Sequence, residues 1–471
     1  MTESAGNYKI AIVGGGPGGY VAAIRAAQLG AKVALVEKDK LGGVCLNVGC
    51  IPTKALMVSA EVLELARRAG EFGVEVGQVS VNFSALMERK RKVVNQLVSG
   101  VTSILRAQKV DVFAGTAAVR EPGVVRVEGG DAPREIRAEH VIIATGSVPA
   151  RPPIPGLDLP GVITSTEAVS LDKVPASMVV IGGGYIGMEM ANIYQPLGTK
   201  IVVIEMLPGI LQNTDEEIAR RYLQMVRQRG VEVNLNSPVK EIRQAANNQL
   251  EVIYSSQEGE KSATGEVVLV ATGRVPTTDG IDVERLGLKM NKKAIAVDEY
   301  MKTNREGVWA IGDVTGLIQL AHVASFQGEL AVENILGRRR KADYRAVPAC
   351  IFTMPEIASV GLTEQQAKDE GIDVQVSRFP FSANGRALTM GETAGLVKMV
   401  CEKSTGSILG VHIMGPRATD LIAEAALAIQ MEALAEDLVL TIHAHPTLPE
   451  AVREAAMGQF EGPIHYFTRR G

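Results

Sequence analysis

The apolar positions of this chain fall into short β-rich runs separated by longer stretches of helical period, the pattern of alternating strands and helices. "KIAIVGGGPGGYVAAIRAAQLGAKVALVEK" (9–38) reads as a strand, a glycine turn, a helix ending at Gly30, a second strand and an acid. "MVVIGGGYIGMEMANIYQPLGTKIVVIE" (178–205) repeats the arrangement, with its helix ending at Gly198. The first glycines, Gly14 and Gly182, stand 168 residues apart, so each copy marks a domain and the pair is not a solenoid repeat. A second echo pairs "VIIATGSVP" (141–149) with "VLVATGRVP" in the 267–276 region, each a β-rich run turning at Ala-Thr-Gly.

Further helices are predicted near 50–70 and 82–107. The proline- and glycine-rich "ARPPIPGLDLPG" reads as a linker. The chain divides into a first nucleotide-binding domain over 1–150, a second over 151–275, a central segment over 276–346 containing "VWAIGDV", and a C-terminal segment over 347–471. That last segment mixes strands ("LVKMVCEK", "ILGVHIMG") with one long predicted helix, "DLIAEAALAIQMEALAEDL" (420–438). The fold class is α/β, with two Rossmann-like dinucleotide-binding domains and a C-terminal α+β domain.

At 471 residues the chain is too long for one core, and 46% apolar with 22% charged residues is a globular composition. Its 49 basic and 53 acidic residues nearly cancel, which gives no support to a nucleic-acid or membrane-surface role. The N-terminus has neither a secretory nor a transit-peptide pattern, and no uncharged apolar stretch reaches the roughly 18 residues of a membrane span. A cytoplasmic protein is expected, and a processed mitochondrial form would look the same.

Each glycine turn has the context of a dinucleotide fingerprint: a strand before, a helix after, and an acid 23 residues beyond the first glycine. The sets are Gly14, Gly16, Gly19 with Glu37, and Gly182, Gly184, Gly187 with Glu205. The first glycine makes the turn, the second admits a pyrophosphate, and the third packs helix on strand. An acid at the ribose position of the second copy, where an arginine would meet a 2′-phosphate, favours NAD over NADP.

"GGVCLNVGCIPTK" (42–54) holds two of only four cysteines, Cys45 and Cys50. Zinc would need further ligands, and no second pair or histidine lies nearby in sequence, so no metal is expected. In an ideal helix the two Cα atoms would be about 8–9 Å apart, beyond the roughly 7 Å limit of a disulfide. Bonding therefore requires a break, which Gly49 and Pro52 supply. Proline early in a helix places Cys50 at its N-terminus, where the dipole favours a thiolate. So short a loop makes a poor staple. A redox couple and two buried free thiols remain as readings.

Together "GGVCLNVGCIPTK", the two fingerprints, "VWAIGDV", "LAHVASFQG" and "HAHPTLPE" (443–450) resemble, in this order, the flavin disulfide reductases, and most of all the dihydrolipoamide dehydrogenase family among them. The resemblance covers essentially the whole chain. It implies a redox disulfide between Cys45 and Cys50. It implies FAD held by Gly14, Gly16, Gly19, Glu37, Lys54, Gly115, Thr145, Gly146, Asp313 and the backbone at Ala321. It implies NAD held by Gly182, Gly184, Gly187, Glu205, Val239 and Gly273; Tyr185, which is not part of that pattern, would cover the nicotinamide pocket until NAD enters. It further implies a homodimer through the C-terminal segment, each site completed by the partner's His445 and the partner's Glu450. Lys54 would lie beside the flavin with Glu189 as its ion-pair partner. Cys45 would face the substrate, dihydrolipoamide on a lipoyl-bearing protein of a 2-oxo acid dehydrogenase or glycine-cleavage complex, and Cys50 the flavin.

The chain departs from that pattern at Tyr185, where an aliphatic residue is frequent, at Met354 for histidine, and at Pro449 for serine. Tyr185 leans towards glutathione reductase, against which stand Glu205 and Leu46. Mercuric reductase would require a C-terminal cysteine pair, and a soluble transhydrogenase would lack one of the motif cysteines. A non-catalytic FAD-binding subunit would have no use for Cys45, Cys50, His445 and Glu450 together.

Overall fold

The computed structural model describes residues 3–129 and 134–467. Val33–Glu37, Glu3–Val13 and Arg134–Ile143 form the centre of a seven-stranded sheet. Asp111–Ala114 flanks it on one side, and an antiparallel extension, Thr116–Glu121 with Val124–Glu128, on the other. The strand inside "VWAIGDV", Val308–Ala310, joins this sheet beside Ile142, and the helix Ala321–Ile335 packs on Pro17–Gln28. A second, all-parallel sheet has the order 232–234, 200–204, 177–181, 267–270, 162–164.

The internal echo holds at the level of single hydrogen bonds. Gly14 N–H donates to Val36 O (2.8 Å) and Gly182 N–H to Ile204 O (2.9 Å). The two Ala-Thr-Gly echoes meet each other: Ser147–Pro149 and Arg274–Pro276 pair as a two-stranded antiparallel ribbon.

The helices expected near 50–70 and 82–107 are Cys50–Arg67 and Phe83–Ala107. The stretch Gly43–Arg67 is long and apolar enough to cross a membrane by composition alone. In the fold it is two helices broken at Val48–Gly49, and its Lys54 pairs with a buried glutamate.

C-terminally, a five-stranded antiparallel sheet, ordered 349–351, 356–361, 408–415, 396–402, 374–380, is covered by helices Ala418–Gln430 and Glu450–Met457. The continuous helix expected over 420–438 is corrected. It ends at Gln430, Glu432 takes a left-handed conformation (φ 56°), and a new helix runs Ala435–Leu440. The chain turns there to pair Leu434 with Ser407 and to bond Ala435 N–H to Gly406 O. The helical period hides this break because the left-handed residue is not a glycine.

Candidate active site

Three glycines shape the cysteine segment. Gly42 and Gly43 take positive φ (90° and 55°), and a Cβ on Gly43 would stand 2.7 Å from Gly16 Cα, so the segment lies against the first fingerprint. Cys45 sits in the short helix Gly43–Asn47, fastened by Asn47 Nδ2 to Leu41 O and Gly43 O. At Gly49 the chain breaks (φ −129°, ψ −108°), and a Cβ there would meet Val44 O at 2.9 Å. Cys50 then opens the helix Cys50–Arg67.

Both thiols are free, and their environments differ. Interaction with the neighbouring Cys50 sulfur drives the Cys45 pKa far up, with burial adding to the effect. The same interaction, helped by the Lys54 ammonium, lowers Cys50 to about 7 against burial and the Glu189 charge. Lys54 Nζ lies 2.9 Å from Glu189 Oε2, and Glu189 is only 4% exposed.

One cavity of about 370 Å³ is lined by Gly14, Gly16, Glu37, Cys45, Cys50, Lys54, Gly115, Thr145, Gly146, Tyr185, Glu189, Asp313 and Ala321. Cys50 is exposed to it. Gly19 is not in the lining; a Cβ on it would fall 1.8 Å from Gly14 O, so its role is close packing of helix on turn. A second cavity, about 1180 Å³, is lined by Gly182, Gly184, Tyr185, Glu205, Val239 and Gly273. Gly187 again packs behind the turn, its Cβ position being 2.2 Å from Gly182 O. Tyr185 borders both cavities.

The two acids are held alike. Glu37 accepts from Gly15 N–H (2.6 Å) and Asp39 N–H (2.8 Å); Glu205 accepts from Gly183 N–H (2.6 Å) and Leu207 N–H (2.8 Å). Each carboxylate is thereby fixed at the rim of its glycine turn. Met206 and Leu207 follow Glu205 in the cavity wall, and neither offers a cation to a 2′-phosphate.

His445 and Glu450 pair with each other, Nδ1 to Oε1 at 2.9 Å, but line neither cavity of their own chain. The His445 side chain is 77% exposed. Burial opposes ionisation of Glu450, yet the Thr447 N–H and His445 outweigh it and hold the carboxyl below its usual range.

The sequence profile described as pyridine nucleotide-disulphide oxidoreductase matches residues 8–328, and the dimerisation domain of that family matches 347–456. The chain belongs to the pyridine nucleotide-disulphide oxidoreductase family. It is 44% identical to a dihydrolipoyl dehydrogenase of Geobacillus stearothermophilus, over 97% of each chain. It is 40% identical to a mitochondrial dihydrolipoyl dehydrogenase of Pisum sativum, over 97% of this chain and 92% of that one. Among solved structures it resembles LpdA from Mycobacterium tuberculosis, with a TM-score of 0.89 and 28% identity over 96% of this chain and 99% of that one. A Cu(II) complex of the HOCl-induced flavoprotein disulfide reductase RclA from Escherichia coli matches with a TM-score of 0.87 and 30% identity, over 96% and 99%.

As a member of this pyridine nucleotide-disulphide oxidoreductase family, the protein is an oxidoreductase whose cofactors are FAD and NAD(H), and its C-terminal domain makes it a homodimer. The cavities fit such groups. A Cβ on Gly184 would meet nothing within 4 Å, and one on Gly16 only Gly43 Cα at 3.9 Å, so both second glycines face open space of the kind a pyrophosphate enters. Gly146 and Gly273 (φ 75° and 114°) likewise face open space on the cavity walls.

Sequence reasoning missed three residues. Phe352 N–H donates to Glu189 Oε1 (2.9 Å), and the Phe352 ring lies 4.4 Å below Lys54 Nζ. Ser147 Oγ donates to Asp313 Oδ2 (2.5 Å), and Arg274 bonds both Ser147 Oγ (2.8 Å) and Ser147 O (2.6 Å). Ser147 and Arg274 stand at matching positions just after the two Ala-Thr-Gly turns; that echo was the available signal.

Proposed function

We propose that the protein oxidises dihydrolipoamide on a lipoyl-bearing partner with NAD⁺ as acceptor, through a redox disulfide between Cys45 and Cys50. The observation that carries this reading is the placement of the two sulfurs: one cavity wall holds both, and Cys50 is exposed there at the start of its helix, with Lys54 one turn on and held by Glu189. In the oxidised enzyme the two sulfurs are bonded. His445 of the partner subunit takes a proton from one substrate thiol, and the resulting thiolate attacks Cys45 Sγ. The Cys45–Cys50 bond breaks and Cys50 leaves as the thiolate, the better leaving group of the two. The second substrate thiol attacks the substrate sulfur bonded to Cys45, its proton passing to the departing Cys45 sulfur while the imidazole of the partner subunit's His445 keeps the first. This closes the substrate disulfide and releases Cys45. Glu450 of the partner subunit orients and charge-stabilises that imidazole.

FAD, when bound, would supply a two-electron acceptor for the Cys45–Cys50 dithiol and a hydride donor to NAD⁺. The residues that would hold FAD are Gly14, Gly16, Glu37, Gly115, the Thr145–Gly146 turn, Asp313 and Ala321, with Lys54 supplying a cation for negative charge on the reduced ring. Gly182, Gly184, Glu205, Val239 and Gly273 would hold NAD⁺, with Tyr185 between the two cavities. Gly19 and Gly187 would pack the turns. The division of the chain at 150, 275 and 346 and a cytoplasmic location belong to the same proposal. So does service to a 2-oxo acid dehydrogenase or glycine-cleavage complex.

Purified protein should be yellow, reduce NAD⁺ with dihydrolipoamide, and leave NADPH unoxidised in glutathione disulfide. Activity in the second assay alone would overturn the reading in favour of a glutathione-reductase-like enzyme.

A further inference from the structure

Far from the cysteines, three basic residues stand in register across neighbouring strands of the C-terminal sheet: Arg378, Lys398 and His412. Against them packs the helix Glu216–Gln228 of the second nucleotide-binding domain. Lys398 is 3% exposed, and its ammonium lies 2.8 Å from Asp215 Oδ2, 3.0 Å from Glu364 Oε2 and 3.6 Å from Glu217 Oε2. Arg378 Nε reaches Glu217 Oε2 at 2.8 Å. Burial keeps His412 neutral, and its Nε2 bonds Leu362 O, so Lys398 and Arg378 carry the positive charge of the row.

Asp215 does two jobs with its two oxygens. Oδ1 caps the helix by accepting from Glu217 N–H (3.1 Å) and Ile218 N–H (3.4 Å), and Oδ2 takes the Lys398 ion pair. The four residues before it, Leu211, Gln212, Asn213 and Thr214, line the larger cavity. Leu211, in a left-handed conformation (φ 53°), donates its N–H to Gly183 O (2.9 Å), and Thr214 N–H donates to Leu211 O (2.8 Å). Gly183 is the residue whose own N–H holds Glu205. A continuous run of bonds therefore leads from Lys398 in one domain to the glycine turn of another.

We propose that Lys398 is a positioning residue of the second dinucleotide site: by fixing Asp215 it lets the dimerisation domain hold the 211–214 wall against the bound nucleotide. This rests on the reading that NAD⁺ binds at the second fingerprint. Without Lys398 the buried Asp215 carboxylate loses its cation, and without the Asp215 charge Lys398 keeps only Glu364 and Glu217, so either change releases the segment before the helix from the dimerisation domain.

The test uses the holoenzyme and the variants Lys398→Met, Asp215→Asn and both together. Asparagine keeps the helix cap while losing the charge, so Asp215→Asn tests the pair even if Lys398→Met fails to fold. Each single variant is expected to weaken NADH binding and raise the KM for NAD⁺ about tenfold. Flavin content and the rate of flavin reduction by dihydrolipoamide should stay at parent values. The double variant should lose no more than the worse single one. Unchanged NADH affinity in Asp215→Asn, or losses that add in the double variant, would overturn the proposal. A parent that binds only NADPH would instead overturn the NAD⁺ reading; the same variants measured with NADPH would then decide this one.

Discussion

Lys54 Nζ lies 2.9 Å from Glu189 Oε2, joining the helix that begins at Cys50 to the helix that follows the second fingerprint. Glu189 also accepts from Phe352 N–H, and the Lys54 ammonium stands over the Phe352 ring, so one pair ties together three distant parts of the chain.

Lys54→Met leaves the Glu189 carboxylate enclosed without its cation. The expected loss is about 2–3 kcal/mol, below that of a fully enclosed pair because the Lys54 side chain keeps 30% of its exposure. Thermal unfolding of the holoprotein measures it, and Lys54→Met with Glu189→Gln should recover part of the loss. A single variant that melts with the parent would show that the pair contributes nothing.

Two glycines of the second fingerprint separate folding from binding. Gly187→Ala forces a Cβ to 2.2 Å from Gly182 O and should destabilise the domain. Gly184→Ala meets no protein atom within 4 Å, so the melting temperature should hold while the KM for NAD⁺ rises about tenfold or more, because the methyl occupies the phosphate approach. Equal NAD⁺ affinity in Gly184→Ala would place the nucleotide elsewhere.

The Cys50 thiol of the reduced protein should ionise with a midpoint near pH 7, read as thiolate absorbance in the ultraviolet. Since the folded value lies below the ordinary thiol value of 9.0, the thiolate is present above that midpoint and is lost as the pH falls through it. Cys45→Ala removes the largest cause of the lowering, so the midpoint should move up. Cys45→Ser keeps a donor and should shift it less.

His445→Gln should slow oxidation of dihydrolipoamide by about 10²–10⁴-fold while NADH still reduces the flavin at the parent rate. Because the His445–Glu450 pair is exposed on its own chain, mixing this variant with Cys45→Ser subunits should restore activity in heterodimers only if the site spans two subunits.

The two dinucleotide folds were legible because their chemistry is local: a strand, a glycine turn and an acid lie within one short stretch, at Gly14–Glu37 and again at Gly182–Glu205. The break at Gly49 was equally readable, since two cysteines five residues apart cannot meet in a regular helix. What escaped notice depends on contacts between distant segments. Phe352 under Lys54, Arg274 on Ser147 and Lys398 on Asp215 are ordinary residues until the fold brings them together. The helix break at Glu432 escaped for another reason: the apolar period of 420–438 runs unbroken, and only the pairing of Leu434 with Ser407 forces the turn.

The division of labour between Cys45 and Cys50 is tested most directly by NADH formation from dihydrolipoamide and NAD⁺, comparing the parent holoprotein with Cys50→Ser at equal flavin content. NADH should accumulate with the parent and fail to appear with Cys50→Ser, although NADH added from outside still reduces the variant's flavin. NADH formation by Cys50→Ser at a rate comparable to the parent's would contradict the account, because electrons would then reach the nucleotide without passing through the sulfur beside Lys54.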